Sequence, residues 1–192
     1  MRREEITASL VEAFRRVDRD DAFTLHEAQL ADQGLRRVIS AKELADAKRL
    51  DPQQDWQEIP TSSLEECDAA LAHLSPVGWR FYIPAYMLHA LALLEEGNTT
   101  SRLPTSVVFH LTLHKKTEAG LRRYNLERFG LLDETQVNAV ASFLRYVMKH
   151  ATEDTQLAND ARVALARYWD LPAGQRPNNA YMDSSREERG TP

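Results

Sequence analysis

The stretch Trp79-Arg80-Phe81-Tyr82-Ile83-Pro84-Ala85-Tyr86-Met87-Leu88-His89-Ala90-Leu91-Ala92-Leu93-Leu94 decides how this chain folds. From Ala85 to Leu94 it is apolar nearly all round, the pattern of a helix buried on every side at the centre of a bundle. The apolar run from Ile83 to Leu94 is about twelve residues long, short of the roughly twenty needed to cross a bilayer. It therefore reads as a core element. Pro84 suits the first turn of that helix, where its missing N–H goes unused, and it pushes Trp79–Ile83 toward an extended conformation. Gly97 stands where a left-handed C-terminal cap belongs.

Outward from this element the helical signals repeat. Toward the N-terminus, Ile6, Leu10, Phe14 and Val17 fall at helical spacing and predict a first helix over 3–17. Thr24/Glu27, Ser40/Glu43 and Ser63/Glu66 have capping-box spacing, in which each side chain satisfies a free amide of the other residue. The last of these opens a helix with the stripe Leu64, Cys67, Leu71 and Leu74. Toward the C-terminus, residues 105–114 alternate like a strand at Val107, Phe109, Leu111 and Leu113, but their helical surroundings favour a helix. Asp133/Gln136 caps a helix carrying Val137, Val140, Ala141, Leu144, Val147 and Met148 on one face. A last helix runs from about Glu153 to Asp170. The fold class expected is all-α: a single-domain bundle of six or seven helices over 1–172, followed by a disordered tail at 173–192. A small hairpin pairing 79–83 with 105–113 is the alternative.

The composition narrows the function classes. The chain has 192 residues, 43% of them hydrophobic, and a net charge of −5. It lacks the basic field that gathers nucleic acid or anionic lipid, so neither nucleic acid nor a membrane is expected as a partner. Cys67 is the lone cysteine, which excludes an internal disulfide and a cysteine-based metal site. On an apolar stripe, it reads as a small buried hydrophobe rather than a nucleophile. Met1–Glu5 leads into an amphipathic pattern, not the apolar stretch of a secretory signal, so a cytoplasmic location is expected. No phosphate-cradling glycine loop, nucleophile elbow or catalytic histidine signature is present, and no cofactor is indicated.

Three constellations carry what chemistry there is. Arg80, Tyr82, Tyr86 and His89 gather at the junction into the central helix, where Arg80 is suited to grip a carboxylate or phosphate. Asp51, Asp55, Glu58, Glu65, Glu66 and Asp68 fall in a segment without a single Lys or Arg, an acidic surface for a basic protein partner if they share a face. His110 and His114 have the i, i+4 spacing of two metal ligands, but Leu111 stands where a zincin glutamate would follow, and two histidines do not make a metal site. The basic residues Lys115, Lys116, Arg122, Arg123 and Arg128 are expected to pair with the acidic segment inside the fold, with binding of an anion as the alternative.

The blocks Asp55-Trp56-Gln57-Glu58-Ile59-Pro60 and Gly78-Trp79-Arg80-Phe81-Tyr82-Ile83-Pro84-Ala85-Tyr86-Met87 resemble a bacterial family known only as a domain of unknown function. Asp133–Gln136 with Phe143-Leu144-Arg145-Tyr146 is similar to that family's C-terminal helix, and the likeness covers roughly residues 3–150. It implies no catalytic residue, cofactor or partner. The leading expectation is a non-enzymatic interaction protein that inhibits or sequesters another protein, as an immunity protein does. The alternative is a small-molecule-binding or metal-dependent enzyme using Arg80 and His89, or the pair His110 and His114.

Overall fold

The central run is helical from end to end. In the computed structural model, which describes residues 2–34, 37–98, 100–151 and 154–178, the helix that contains it spans Pro76–Glu95. Ten α-helices and no strand occur among the described residues. They are α1 (Arg3–Phe14), α2 (Leu25–Gly34), α3 (Ala41–Leu50), α4 (Thr61–Glu66), α5 (Ala70–His73), α6 (Pro76–Glu95), α7 (Leu103–His110), α8 (Ala119–Phe129), α9 (Glu134–His150) and α10 (Thr155–Ala164). No helix is long and apolar enough to cross a membrane among the described residues.

The junction at Trp79–Ile83 is the main correction to the sequence reading. Ser75 caps α6, accepting from the Gly78 amide at 3.3 Å, and Pro76 rather than Pro84 takes the first position. Pro84 lies in the helix interior, where it forgoes the hydrogen bond to the Arg80 carbonyl. Burial offsets that loss: twelve of the twenty residues of α6 are buried, including Trp79, Phe81, Tyr82, Ile83 and Pro84 itself. Tertiary packing overrides the local preference of the residue before proline, and the hairpin alternative falls with it.

Around α6 pack α1, α7, α8 and α9, with α10 laid against α9 and α7, and α2 resting on α3 and α5. The capping boxes at Ser40/Glu43 and Asp133/Gln136 form as expected, and Thr24 and Glu27 exchange hydrogen bonds at the entry to α2. Gly97 takes φ +65, the left-handed end of α6. Helix α1 stops at Phe14, although Val17 remains buried. Met148 is 40% exposed, while the rest of its predicted stripe on α9 is buried.

The predicted continuous helix from Ser63 to Leu74 is broken at Cys67. The helix starts earlier, with Pro60 at its N-cap position, and carbonyls beyond the break accept from side chains of other elements. The Tyr86 hydroxyl donates to the Cys67 carbonyl at 2.6 Å, and Arg128 Nη2 donates to the Leu74 carbonyl at 2.6 Å. The single Tyr124 O–H is shared between the Ala72 and Leu74 carbonyls. The strand-like alternation at 105–114 resolves into α7 up to His110 and a turn beyond it. The last helix passes from α10 into a wider turn at Leu165–Trp169, where the Trp169 indole donates to the Leu111 carbonyl at 2.7 Å. Residues 173–178, placed by sequence in the tail, contain a 3-10 turn at Ala173–Gln175, and Arg176 Nη1 lies 2.6 Å from Glu134 Oε1. The predicted tail residues 179–192 lie outside the described residues.

Candidate functional site

Because Trp79–Ile83 is helical, the four junction residues separate. At 100° per residue, Tyr82, Tyr86 and His89 fall within about 60° of one another on α6, and Arg80 lies roughly opposite. Their partners follow that division. The Tyr82 hydroxyl accepts from Arg19 Nη1 at 3.1 Å, Tyr86 donates to Cys67, and His89 Nε2 lies 2.9 Å from Glu65 Oε1. Burial pushes the Tyr82 hydroxyl pKa up to about 12 and that of Tyr86 well above its ordinary value. Both remain protonated structural groups. The predicted site of Arg80, Tyr82, Tyr86 and His89 is thus two unrelated surfaces of one helix.

On the Tyr82 side, the acidic segment turns partly inward. Asp51 is buried, its Oδ2 accepting from the His26 amide and its Oδ1 from His26 Nδ1, both at 2.8 Å. A carboxylate is acceptor-only at neutral pH, so Nδ1 carries the hydrogen. Glu66 lies 3.7 Å from His26 Nε2, and Asp55 caps the 3-10 turn Trp56–Glu58 through the Gln57 amide. Asp55, Glu58, Glu65, Glu66 and Asp68 are exposed. Cys67 is fully buried among them, and desolvation first, then Asp51, Glu66 and Asp68, push its thiol up to about 12, which suppresses the reactive thiolate.

The basic stretch does not meet these acids. Arg122 donates to the His114 carbonyl, Arg123 faces Glu127 at 3.9 Å, and Lys115 and Lys116 are exposed. Arg128 is completely buried under the Tyr124 ring, 3.6 Å from its centroid, with Trp79 further off. Desolvation pulls its pKa down to about 8. His110 ends α7 and His114 lies beyond it, both edge-on to Phe109. Burial, with Arg128 nearby, holds the His110 imidazole down at about 3. Among the described residues no group of three or more metal-capable side chains forms, so the pair lacks a third ligand.

The Arg80 side is open. A cleft of about 350 Å³ runs between the end of α1 and the start of α9, lined among others by Glu12, Arg15, Arg16, Arg80, Asp133 and Thr135. Its anchor is Gln136, 1% exposed. Gln136 Oε1 accepts from Arg80 Nε at 3.2 Å and from the Asp133 amide at 3.3 Å, and its Nε2 donates to the Ala13 carbonyl at 3.1 Å. One buried amide therefore ties α1, α6 and α9 together and fixes the Arg80 guanidinium by a single edge. Its two terminal nitrogens make no hydrogen bond to the protein among the described residues. Sequence reasoning found Arg80 but missed its setting. Arg15-Arg16 at the end of α1 was the available signal, and Gln136 read only as half of a capping box.

The residues that build this fold also place the chain in a family. It belongs to the family of unknown function DUF6714, which it matches over residues 2–172. No curated protein and no solved structure matches the chain. The family match spans all ten helices and every residue of the cleft, and it names no activity for them.

Proposed function

We propose that the protein binds a small hydrophilic molecule through an anionic group, a carboxylate or phosphate, in the cleft at Arg80. The observation that supports this reading is the Arg80 guanidinium, held by a buried amide on its Nε edge, with its terminal nitrogens free of protein hydrogen bonds among the described residues, in a cleft that Arg15 and Arg16 also line. Such a fork matches the two oxygens of a carboxylate or phosphate. Holding it in advance lowers the ordering cost of binding. The cleft supplies binding groups, and the proposal assigns no catalytic step to it. Titration of inorganic phosphate and of succinate, followed by side-chain NMR of the arginines and by melting temperature, tests the reading. Saturable shifts that vanish in Arg80→Ala are expected; no response to either anion overturns it.

A second reading, capture of a basic protein, is favoured by a separate observation. Asp55, Glu58, Glu65, Glu66 and Asp68 are exposed, and among the described residues no Lys or Arg pairs with them; only His26 and His89 approach. Asp51 drops out of the candidate face because it is buried. This reading predicts capture of a basic partner that weakens with salt and disappears when those five acids are neutralised. Capture indifferent to both changes counts against it.

A further inference from the structure

We infer that the Arg80 cleft takes a zwitterion: a small molecule with an ammonium group beside its carboxylate or phosphate. The inference rests on the anion-binding reading and narrows its ligand class. A pocket for a bare anion is weakened by every carboxylate along its wall, since like charges repel at close range. This cleft nevertheless presents Glu12 and Asp133 beside Arg15, Arg16 and Arg80.

The two carboxylates are not consumed by the protein. Glu12 pairs with Arg15 at 3.3 Å, but its side chain is 67% exposed and keeps one oxygen outside that contact. Asp133 Oδ1 accepts from the Gln136 amide as the cap of α9, and its Oδ2 makes no hydrogen bond among the described residues. Each is an acceptor with nothing to donate, which suits an ammonium, a compact charge with three donors.

The positive wall is arranged differently. Gln136 occupies Arg80 Nε, so the end-on fork of terminal nitrogens is the face left for a bidentate contact. Gln136 itself is held by two further hydrogen bonds, from the Asp133 amide and to the Ala13 carbonyl, which fix the acceptor that Arg80 Nε meets. Thr135, at the start of α9, adds a hydroxyl to the cleft lining. Acceptors from α1 and α9 and a fixed fork from α6 thus offer both signs of charge to one ligand. The volume is roughly a dozen times a water's share of the liquid, which suits a molecule the size of an amino acid or a phosphorylated amine.

Calorimetric titration of the full chain with two matched pairs tests this: phosphoethanolamine against glycerol phosphate, and aspartate against succinate. Within each pair the ammonium-bearing member should bind roughly threefold to fivefold tighter, the range of a partly exposed ion pair. The double variant Glu12→Gln/Asp133→Asn, in which asparagine keeps the helix cap, should erase that preference and, by removing like charge, tighten succinate and glycerol phosphate. Equal or weaker binding of the ammonium-bearing members, with binding still lost in Arg80→Ala, overturns the zwitterion and leaves the anion-binding reading standing. If none of the four compounds binds, both fall together.

Discussion

On one face of α6, Tyr82, Tyr86 and His89 are each met by a group from the chain itself: Arg19, the Cys67 carbonyl and Glu65. On the opposite face, Arg80 is met at one edge only and opens onto a cleft. On the first face each of the three side chains on α6 has an internal partner, although Arg19 Nε is buried without one among the described residues, and polar side chains stitch the segments at residues 19, 51 and 67 to the central helix. The second is held by the same kind of bond but stops short of saturation. Polar chemistry clustered in sequence therefore divides by helical phase into structural and available groups. Satisfaction by internal partners, rather than residue type, tells them apart.

The largest effect should come from opening the closed face. Asp51→Ala removes the buried acceptor of both the His26 amide and its imidazole, leaving two donors without partners, and should cost about 3 kcal/mol of unfolding free energy. Asp51→Asn should recover part of it by keeping one acceptor. Denaturant unfolding measures both, and a loss under about 1 kcal/mol would mean that this face is not held by its polar network.

The closed face should also fail in alkali. Tyr82 has a folded pKa of about 12, raised by burial above the ordinary tyrosine value near 10. The unfolded chain releases that proton first, so the Tyr82 contribution is intact below pH 10 and is lost as pH rises toward 12. The loss from Tyr82 alone is about 1 kcal/mol at pH 11 and about 2 kcal/mol at pH 12. Cys67 and Tyr86 are shifted in the same direction and steepen the fall. Tyr82→Phe should flatten the profile of stability against pH in this range; an unchanged slope would place the tyrosine outside the cooperative core. His110 gives the mirror case. Its folded pKa near 3 lies below the unfolded value near 6.5, so its contribution is present above pH 6.5 and is lost on acidification, by about 2 kcal/mol at pH 5. His110→Leu should remove that acid slope.

A smaller change should separate holding from binding on the open face. Gln136→Met keeps the length of the side chain but loses the acceptor of Arg80 Nε and the donor to the Ala13 carbonyl. A cost of about 1–2 kcal/mol is expected. Anion affinity should fall with it, because Arg80 is no longer held before the ligand arrives. A stability loss without any change in affinity would show that Gln136 braces the helices and does not position the guanidinium.

The helices were legible wherever a cap and a stripe coincided, as at Ser40/Glu43 with α3, Asp133/Gln136 with α9 and Gly97 at the end of α6. The reading failed where a distant side chain decided the local backbone. Nothing near Cys67 announces a helix break; its carbonyl accepts from Tyr86, nineteen residues away, as well as from the Ala70 amide. Nothing near Trp79 shows that burial will carry the helix through Pro84. The site failed for the same reason. Arg80, Tyr82, Tyr86 and His89 are neighbours in an extended reading, but a helix turns Arg80 away from the other three. The residues that complete the cleft, Arg15 and Arg16 just past α1 and Gln136 on α9, lie far from α6 in sequence, and no local pattern links them.

The smallest stability effect, and the sharpest test of the contrast, belongs to Arg80 and Arg16. Arg16 is exposed, and Arg80 is partly exposed with a single hydrogen bond to the protein among the described residues. Arg16→Ala should change unfolding free energy by less than about 0.5 kcal/mol, as expected for a surface position. Arg80→Ala should cost about 1 kcal/mol, since Gln136 keeps its bond from the Asp133 amide when the arginine is gone. Both variants should nevertheless lose anion binding, Arg80→Ala entirely and Arg16→Ala by several-fold. On the Tyr82 face the relation is reversed, because Asp51→Ala should destabilise the fold while a ligand at Arg80 binds the remaining folded protein with unchanged affinity. Calorimetric titration beside denaturant unfolding of all three variants measures both quantities. If affinity instead tracks stability across the set, the two faces of α6 are one structural unit and the cleft is not a site.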